Sequence, residues 1–499
     1  YIMDNYIGEL YQSGTNSFYR AGNVGAILWY DPDSSKKTIP DERLTGYSPV
    51  LGEAIMREGN SVDDQTAMFH CGDNYGGHAH DDNGHFSIWY KGHLALDSGF
   101  YTGWSSDHLK NYAGRTVAHN TITVYKPGEV FDRTSHNDGG QQLTDSPDFY
   151  GDENMDNDYC DMNLYTTNDL DYINSDFTNS YKDDKVSKVT RQFIYFRPDK
   201  FIVFDRVEST QASYKKSYLL HSQNDMTIDN GEISFTDGNG KLFSKTLLPD
   251  DPEIVKIGGT NQEYTNAGTN YPINNPSVET TTGKYRAEIS PPNDNLFDNF
   301  LHVMQTTDSN VNNMAVYELL ESGNSIGAKI GDKVAMFSRT GESLSQMQYT
   351  FNSTMSTQNI ITNLKSGYEY TVEDEGVEVE SITANEYGVI EYSLPTGDHD
   401  VVIYEGDLQL CADISGANCI EGSCDNDYTN CNTQNAYCEN SLSCCVGTCT
   451  EIMDCLPYEI EPCSECYENN EMASMVSDWT RGTITSENLL DYINVWKNC

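Results

Sequence analysis

The segment from His70 to Val124 holds seven of the chain's eleven histidines, interleaved with Asp81, Asp82 and Asp97. Imidazoles and carboxylates are the groups that move protons and bind divalent metals, so chemistry is to be sought in this stretch. In His78-Ala79-His80 the two imidazoles stand two residues apart. On an extended segment they project from one face and can meet one metal ion or one substrate. Phe86-Ser87-Ile88-Trp89-Tyr90 reads as a strand, Lys91-Gly92 as a turn, and Leu94-Ala95-Leu96 as a returning strand that delivers Asp97 at its end. Thr116 to Val124 reads as a further strand, whose alternation puts Val117, His119, Thr121 and Thr123 on one face. Two histidines and one aspartate from three strands predict a zinc site with an open fourth position.

A lone histidine on a strand is more often a hydrogen-bonded structural residue than a ligand, and His70, His85, His93 and His108 are read as bystanders. It is the clustering that carries the functional reading. The elements that position these groups are β-strands: short runs rich in Tyr, Thr, Val and Ile recur between Gly- and Asn-rich turns, which makes the chain all-β. Its 499 residues predict roughly two to four domains. A large antiparallel β-sandwich is expected over 46–310 and a small β-sandwich over 311–406, the latter with strands at Tyr368–Val372 and Val401–Tyr404. The acidic, Asn-rich stretch Asp145–Asp158 reads as a solvated loop, with calcium possible there although the regular calcium-loop spacing is missing.

The runs GGHAHDDNGHFSIWYKGHLALDSGFY, RTVAHNT and KVTRQFIYFRPDKFIVFDRVES resemble the β-sandwich half of the heparinase II/III family of polysaccharide lyases. YLLHSQNDM, KTLLPDDPEIVKIGG and KYRAEISPPNDNLFDNFLHVMQT follow in the same order, so the likeness spans about residues 24 to 405. The resemblance implies that His78 works near the sugar as an acid/base or charge-neutralising group. It also implies that His80, Asp97 and His119 bind a structural zinc. The implied reaction is β-elimination: a base removes the C5 proton of a uronic acid, an acid protonates the departing O4, and neutralising the substrate carboxylate makes that proton removable. Arg115 is a candidate partner for the carboxylate, with a buried structural ion pair as the equal alternative.

Full lyases of the family begin with a helical toroid that forms one wall of the cleft and supplies a catalytic tyrosine. Residues 1–30 read as the end of such a toroid, leading into the Trp29-Tyr30-Asp31-Pro32 turn, so 1–45 is expected to be its remnant and a linker. The tyrosine has no counterpart that can be assigned among the chain's 34. A chain opening at Tyr1 with neither an initiator Met nor a signal peptide predicts processing or an upstream segment.

Seventy-seven acidic against thirty basic residues give a formal charge of -47. That field repels polyanions over a screening length of about 8 Å, which disfavours nucleic acid and opposes heparin- or alginate-like chains unless a basic cleft intervenes. Lys91, Lys110, Arg115, Lys126 and Arg133 are the cations near the histidine block. The charge reads as a solvated, Asp-rich exterior. No apolar run approaches the roughly eighteen residues of a membrane-spanning helix.

Twelve of the fourteen cysteines fall between Cys411 and Cys499. Only Cys463-x2-Cys466 has the paired form of zinc ribbons, so 407–470 reads as a disulfide-rich module, with Cys71 and Cys160 as a possible separate bridge. An extracellular or cell-surface location follows, with which the sequon Asn352-Ser353-Thr354 is compatible. Residues 471–499 read as a C-terminal helical segment with Leu489, Leu490, Ile493 and Trp496 on one face, resembling half of a dockerin without its calcium-loop carboxylates. Two functions are expected: a secreted lyase module acting on an acidic, uronate polysaccharide, or a non-catalytic filament or surface-layer subunit. In the second, the sandwich is a metal-stapled scaffold that self-assembles through the cysteine-rich and helical region. Retained metal ligands serve both; His78 favours the lyase.

Overall fold

The computed structural model describes residues 44–49, 51–59, 61, 63–73, 79–132, 134, 136–142, 159–273 and 281–406, with the backbone of 408–409 and 438–439. The expected toroid remnant and acidic loop, the C-terminal helix and nearly all of the cysteine-rich module lie outside these residues. Among the described residues no helix is long and apolar enough to cross a membrane.

The chain enters as an antiparallel meander, β1 (Thr45–Ser48), β2 (Glu53–Arg57), β3 (Thr66–His70) and β4 (His85–Trp89). There follow β5 (Ile122–Tyr125), β6 (Asp161–Thr166), β7 (Leu170–Asp176), β8 (Val186–Phe196), β9 (Lys200–Ser209), β10 (Lys215–Ser222), β11 (Thr227–Asp229), β12 (Glu232–Asp237), β13 (Gly240–Leu248) and β14 (Glu253–Gly258). The hairpin β15 (Thr265–Asn266) and β16 (Thr269–Asn270) precedes β17 (Tyr285–Ser290) and β18 (Phe297–Asp308). One sheet has eight strands in the order β11-β12-β13-β18-β9-β8-β7-β6, and another has four in the order β14-β17-β10-β5.

The centre of the eight-stranded sheet follows from two runs, Phe193-Ile194-Tyr195-Phe196 in β8 and Phe201-Ile202-Val203-Phe204 in β9. A strand with one wet face alternates apolar and polar residues, so unbroken apolar runs require cover on both sides. Phe193, Tyr195, Phe201 and Val203 enter one buried cluster with Phe69 and Phe86 of the meander and Leu220 and Ile289 of the four-stranded sheet. Ile194, Phe196, Ile202 and Phe204 enter a second cluster with Ile326, Ala328, Phe337 and Ile360. Those partners belong to β19 (Tyr317–Ser322), β20 (Ser325–Ile330), β21 (Lys333–Ser338), β22 (Gln346–Ser353), β23 (Thr357–Ile361), β24 (Glu369–Asp374), β25 (Val377–Thr383), β26 (Ile390–Leu394) and β27 (Gly397–Glu405), the smaller β region. Its five-stranded sheet runs β19-β20-β21-β23-β26, with β21 and β23 parallel. An all-β, largely antiparallel sandwich is therefore what the described residues form.

Cys71, just past β3, is disulfide-bonded to Cys160, just before β6. This is the pairing raised from the sequence.

His302 of β18 lies in the core with its ring stacked 3.9 Å from that of Tyr218 and Nδ1 3.2 Å from Thr246 Oγ1. Burial first, then the Arg191 charge, pushes its pKa from 6.5 down to about 3. The folded state thus holds it neutral while the unfolded chain protonates near its ordinary value. This contribution to stability is complete above about pH 6.5 and is lost as pH falls toward about 3. Between about pH 6.5 and 5 the loss is about 2 kcal/mol. Urea titrations across that interval should show a shallower acid dependence for His302→Phe than for the unaltered chain; equal slopes would contradict a neutral buried imidazole.

Candidate metal centre

One ligand atom each of His80, Asp97 and His119 lies within 4.8 Å of the other two. The His80 and His119 ring centres are 5.3 Å apart, and His119 Nδ1 is 2.6 Å from Asp97 Oδ1. That contact is short without hydrogen-bond alignment. Both ring nitrogens of His119 are buried and neither has a hydrogen-bond partner among the described residues, whereas a buried polar group ordinarily has one. Two imidazole nitrogens and a carboxylate converging in this way fit a borderline cation such as zinc. Asp97 keeps 51% of its side chain exposed, so the cluster opens to solvent on that side.

None of the three candidate ligands sits on a regular strand. Thr116–Ala118 forms a 3-10 turn, His119 follows it in an extended conformation, and the strand begins only at Ile122. The alternation of Val117 and His119 therefore does not mark a sheet face. The His119 N–H closes the turn on the Thr116 carbonyl, while Val117 and Ala118 pack with Tyr112 and Tyr264 in a small cluster of their own. Leu94–Leu96 returns along β4 but forms no regular ladder. Leu94 N–H donates to the Ile88 carbonyl and Ile88 N–H to the Ala95 carbonyl, and beyond them the Asn120 amide reaches the carbonyls of Phe86 (2.8 Å) and Leu96 (3.3 Å). Asn120 thus takes the place of the missing strand pairing and sets the arm that carries Asp97. Ser98 N–H donates to Asp97 Oδ1 at 3.0 Å, and Gly283 N–H to the Asp97 carbonyl at 2.8 Å.

Arg115 is 1% exposed. Its Nε and Nη2 form a fork on the two Asp138 oxygens at 2.9 and 3.0 Å, and its Nη1 donates to Asp81. Of the two roles open for this residue, these contacts describe the buried ion pair. Asp81 adjoins His80, and Arg115 leads into the turn that ends at His119, so one guanidinium holds both arms. His78 lies outside the described residues.

Burial pushes the His119 imidazole toward neutrality, but the Asp97 charge, joined by Asp82 and Asp81, outweighs it and raises the pKa to about 9. Burial, then His119, pushes His80 below its ordinary value. Burial would raise Asp97, yet the neighbouring histidines, His119 foremost, hold it well below the usual carboxylate range; its exposure screens that effect. His85, edge-on to His119 at 5.4 Å, is pushed down to about 4 by burial against the opposing Asp97 charge. It is a neutral brace: Nδ1 accepts the Asn120 N–H at 2.9 Å, and Nε2 pairs with Ser87 Oγ at 3.0 Å.

Sequence reasoning did not single out Asn120, Asp138, Arg191 or Asp205. Arg191, paired with Asp205 at 2.6 and 3.0 Å, donates to the carbonyls of Gly84 and Asn120. The available signal was charged residues flanked by apolar ones within a strand, as in Val189-Thr190-Arg191-Gln192-Phe193 and Phe204-Asp205-Arg206-Val207. Among the cations near the histidine block, Lys91 pairs with Asp308 and Lys126 with Asp184.

The heparinase II/III-like C-terminal family matches residues 48–257, and the heparinase II C-terminal domain matches 319–402. Together the two matches span more than half of the chain. Among solved structures, a heparinase III with methylated lysines shares 14% identity at a TM-score of 0.45, over 67% of this chain and 45% of its own. Heparan sulfate lyase HepC from Pedobacter heparinus shares 15% at 0.44, over 66% of this chain and 46% of its own. The chain thus spans a little under half the length of these structures. No curated protein matches it. By these two matches, residues 48–257 are a heparinase II/III-like C-terminal domain and residues 319–402 a heparinase II C-terminal domain.

Proposed function

We propose that the chain is the sandwich portion of an extracellular lyase that cleaves uronic-acid polysaccharides by β-elimination. The observation that supports this reading is the convergence of His80, Asp97 and His119, with His78 two residues upstream of His80 in sequence. His78 is the acid/base group. The C5 proton leaves to a base, its electron pair forms the C4–C5 double bond, the C4–O4 bond breaks, and O4 is protonated as it departs. Zinc, when bound, supplies a fixed positive centre joining the three arms. His80, Asp97 and His119 are its ligands, and Arg115 and Asn120 are positioning residues behind them. An extracellular setting is supported by the Cys71–Cys160 bridge and by the density of cysteines after residue 410.

A second reading, a filament or surface-layer subunit on the same metal-stapled sandwich, draws support from the formal charge of -47 and from the ion pairs that engage Lys91, Arg115 and Lys126. Natively isolated material, its N-terminus and size determined on the same sample, should be mixed with uronate polysaccharides while the ultraviolet absorbance of unsaturated uronate is followed. A lyase gives rising absorbance that His78→Ala cuts by about a hundredfold or more. Flat traces from a large polymer would leave the subunit reading in its place.

A further inference from the structure

At the end of β4 remote from His85, three turns meet around an open cleft of about 620 Å³. They are the turn after β4, the β12–β13 hairpin tip, and the segment following β18. Asn239 N–H donates to the Lys91 carbonyl at 3.1 Å, Ser309 N–H to the Asn239 carbonyl at 2.8 Å, and His93 N–H to Asp237 Oδ2 at 2.8 Å. The approach is close enough that a Cβ on Gly240 would stand 1.8 Å from the Tyr90 carbonyl oxygen. Lys91 holds a positive φ of 52°, which is uncommon for a residue with a side chain, and its ammonium is fixed on Asp308 at 2.6 Å. The cleft is therefore built before any ligand arrives.

We propose that this cleft binds a short uncharged oligosaccharide, at a site separate from the metal centre. Trp89 lines it and offers a flat apolar surface with a polar edge, the complement of a pyranose ring. Asn239, Ser309 and Asn310 supply amide and hydroxyl groups that both donate and accept, as sugar hydroxyls require, and Asp63 adds an acceptor. The volume lies within the range of small-molecule sites. Charge selects the class of sugar: Asp63 and Asp308 outnumber Lys91, and Lys91 is already paired, so a uronate or sulfate meets a net negative lining. β4 spans five residues, which separates this cleft from the His85 end by about 13 Å. The inference stands apart from the lyase reading because it requires binding without turnover.

The test is isothermal titration of the full chain with uncharged gluco-, xylo-, manno- and galacto-hexasaccharides, and with an oligogalacturonate of equal length. At least one uncharged ligand should bind, with affinity falling about tenfold in Trp89→Ala, an energy of about 1.4 kcal/mol. Asn310→Ala, at an exposed position, should weaken it by a smaller factor and carries the test if Trp89→Ala does not fold. The proposal is overturned if no uncharged ligand gives heat at about 10 mM, if neither variant changes the binding, or if the oligogalacturonate binds more tightly than every uncharged chain.

Discussion

Chelation of the purified chain, or His119→Ala, is expected to remove stoichiometric zinc and lower the unfolding free energy by about 4 kcal/mol, the stabilisation from a ligand present at a thousandfold over its Kd. The two ring nitrogens of His119 are buried without hydrogen-bond partners among the described residues. Left without a metal, that ring and Asp97 form a close pair with poor alignment, and the arms holding His80 and Asp97 lose their common anchor. Asp97→Asn should lose less, because it keeps an oxygen donor at the half-exposed position and removes only its charge. Elemental analysis with denaturant titrations before and after chelation gives the answer. A chain that purifies without zinc and is unmoved by chelator would refute the assignment.

Arg115→Leu is expected to destabilise the chain by about 3–5 kcal/mol, the range for removing one partner from a buried ion pair. Two carboxylates, Asp81 and Asp138, would stay in the interior without their shared cation. The effect should reach the metal as well, since Asp81 N–H is tied to the Gly114 carbonyl beside His80 and the 3-10 turn to His119 begins at Arg115. Arg115→Lys keeps the charge but not the fork on Asp138, so it should fall between the two. Near-neutral stability together with full zinc content in Arg115→Leu would show that the two arms are held by something else.

The candidate cluster was legible in the sequence because only eleven residues are histidines and seven of them fall between His70 and Val124. The geometry that brings them together was less legible. Thr116 to Val124 alternates as a strand does, yet Val117 serves a local aromatic cluster and Arg115 a buried carboxylate pair, contacts that no window of neighbouring residues contains. The same holds for Leu94–Leu96, whose register is set by Asn120, 24 residues away. By contrast, the centre of the large sheet carries a local signal, because the two apolar runs Phe193–Phe196 and Phe201–Phe204 leave no wet face. His85 is the hydrogen-bonded structural histidine expected of a non-ligand, its Nδ1 holding the backbone N–H of Asn120.

The Cys71–Cys160 bridge closes a loop with a sequence separation of 89, and His80, Asp97 and His119 all fall inside it. Tension applied at the two ends of the chain would pass from residue 71 to residue 160 through the sulfurs and bypass everything between. The candidate metal site therefore lies off the covalent load path, and about 300 Å of contour length stays hidden from a pulling experiment until the bridge is reduced. Force would reach that stretch only through its contacts outside the loop, such as the Gly283 N–H on the Asp97 carbonyl and the Arg191 guanidinium on the Asn120 carbonyl.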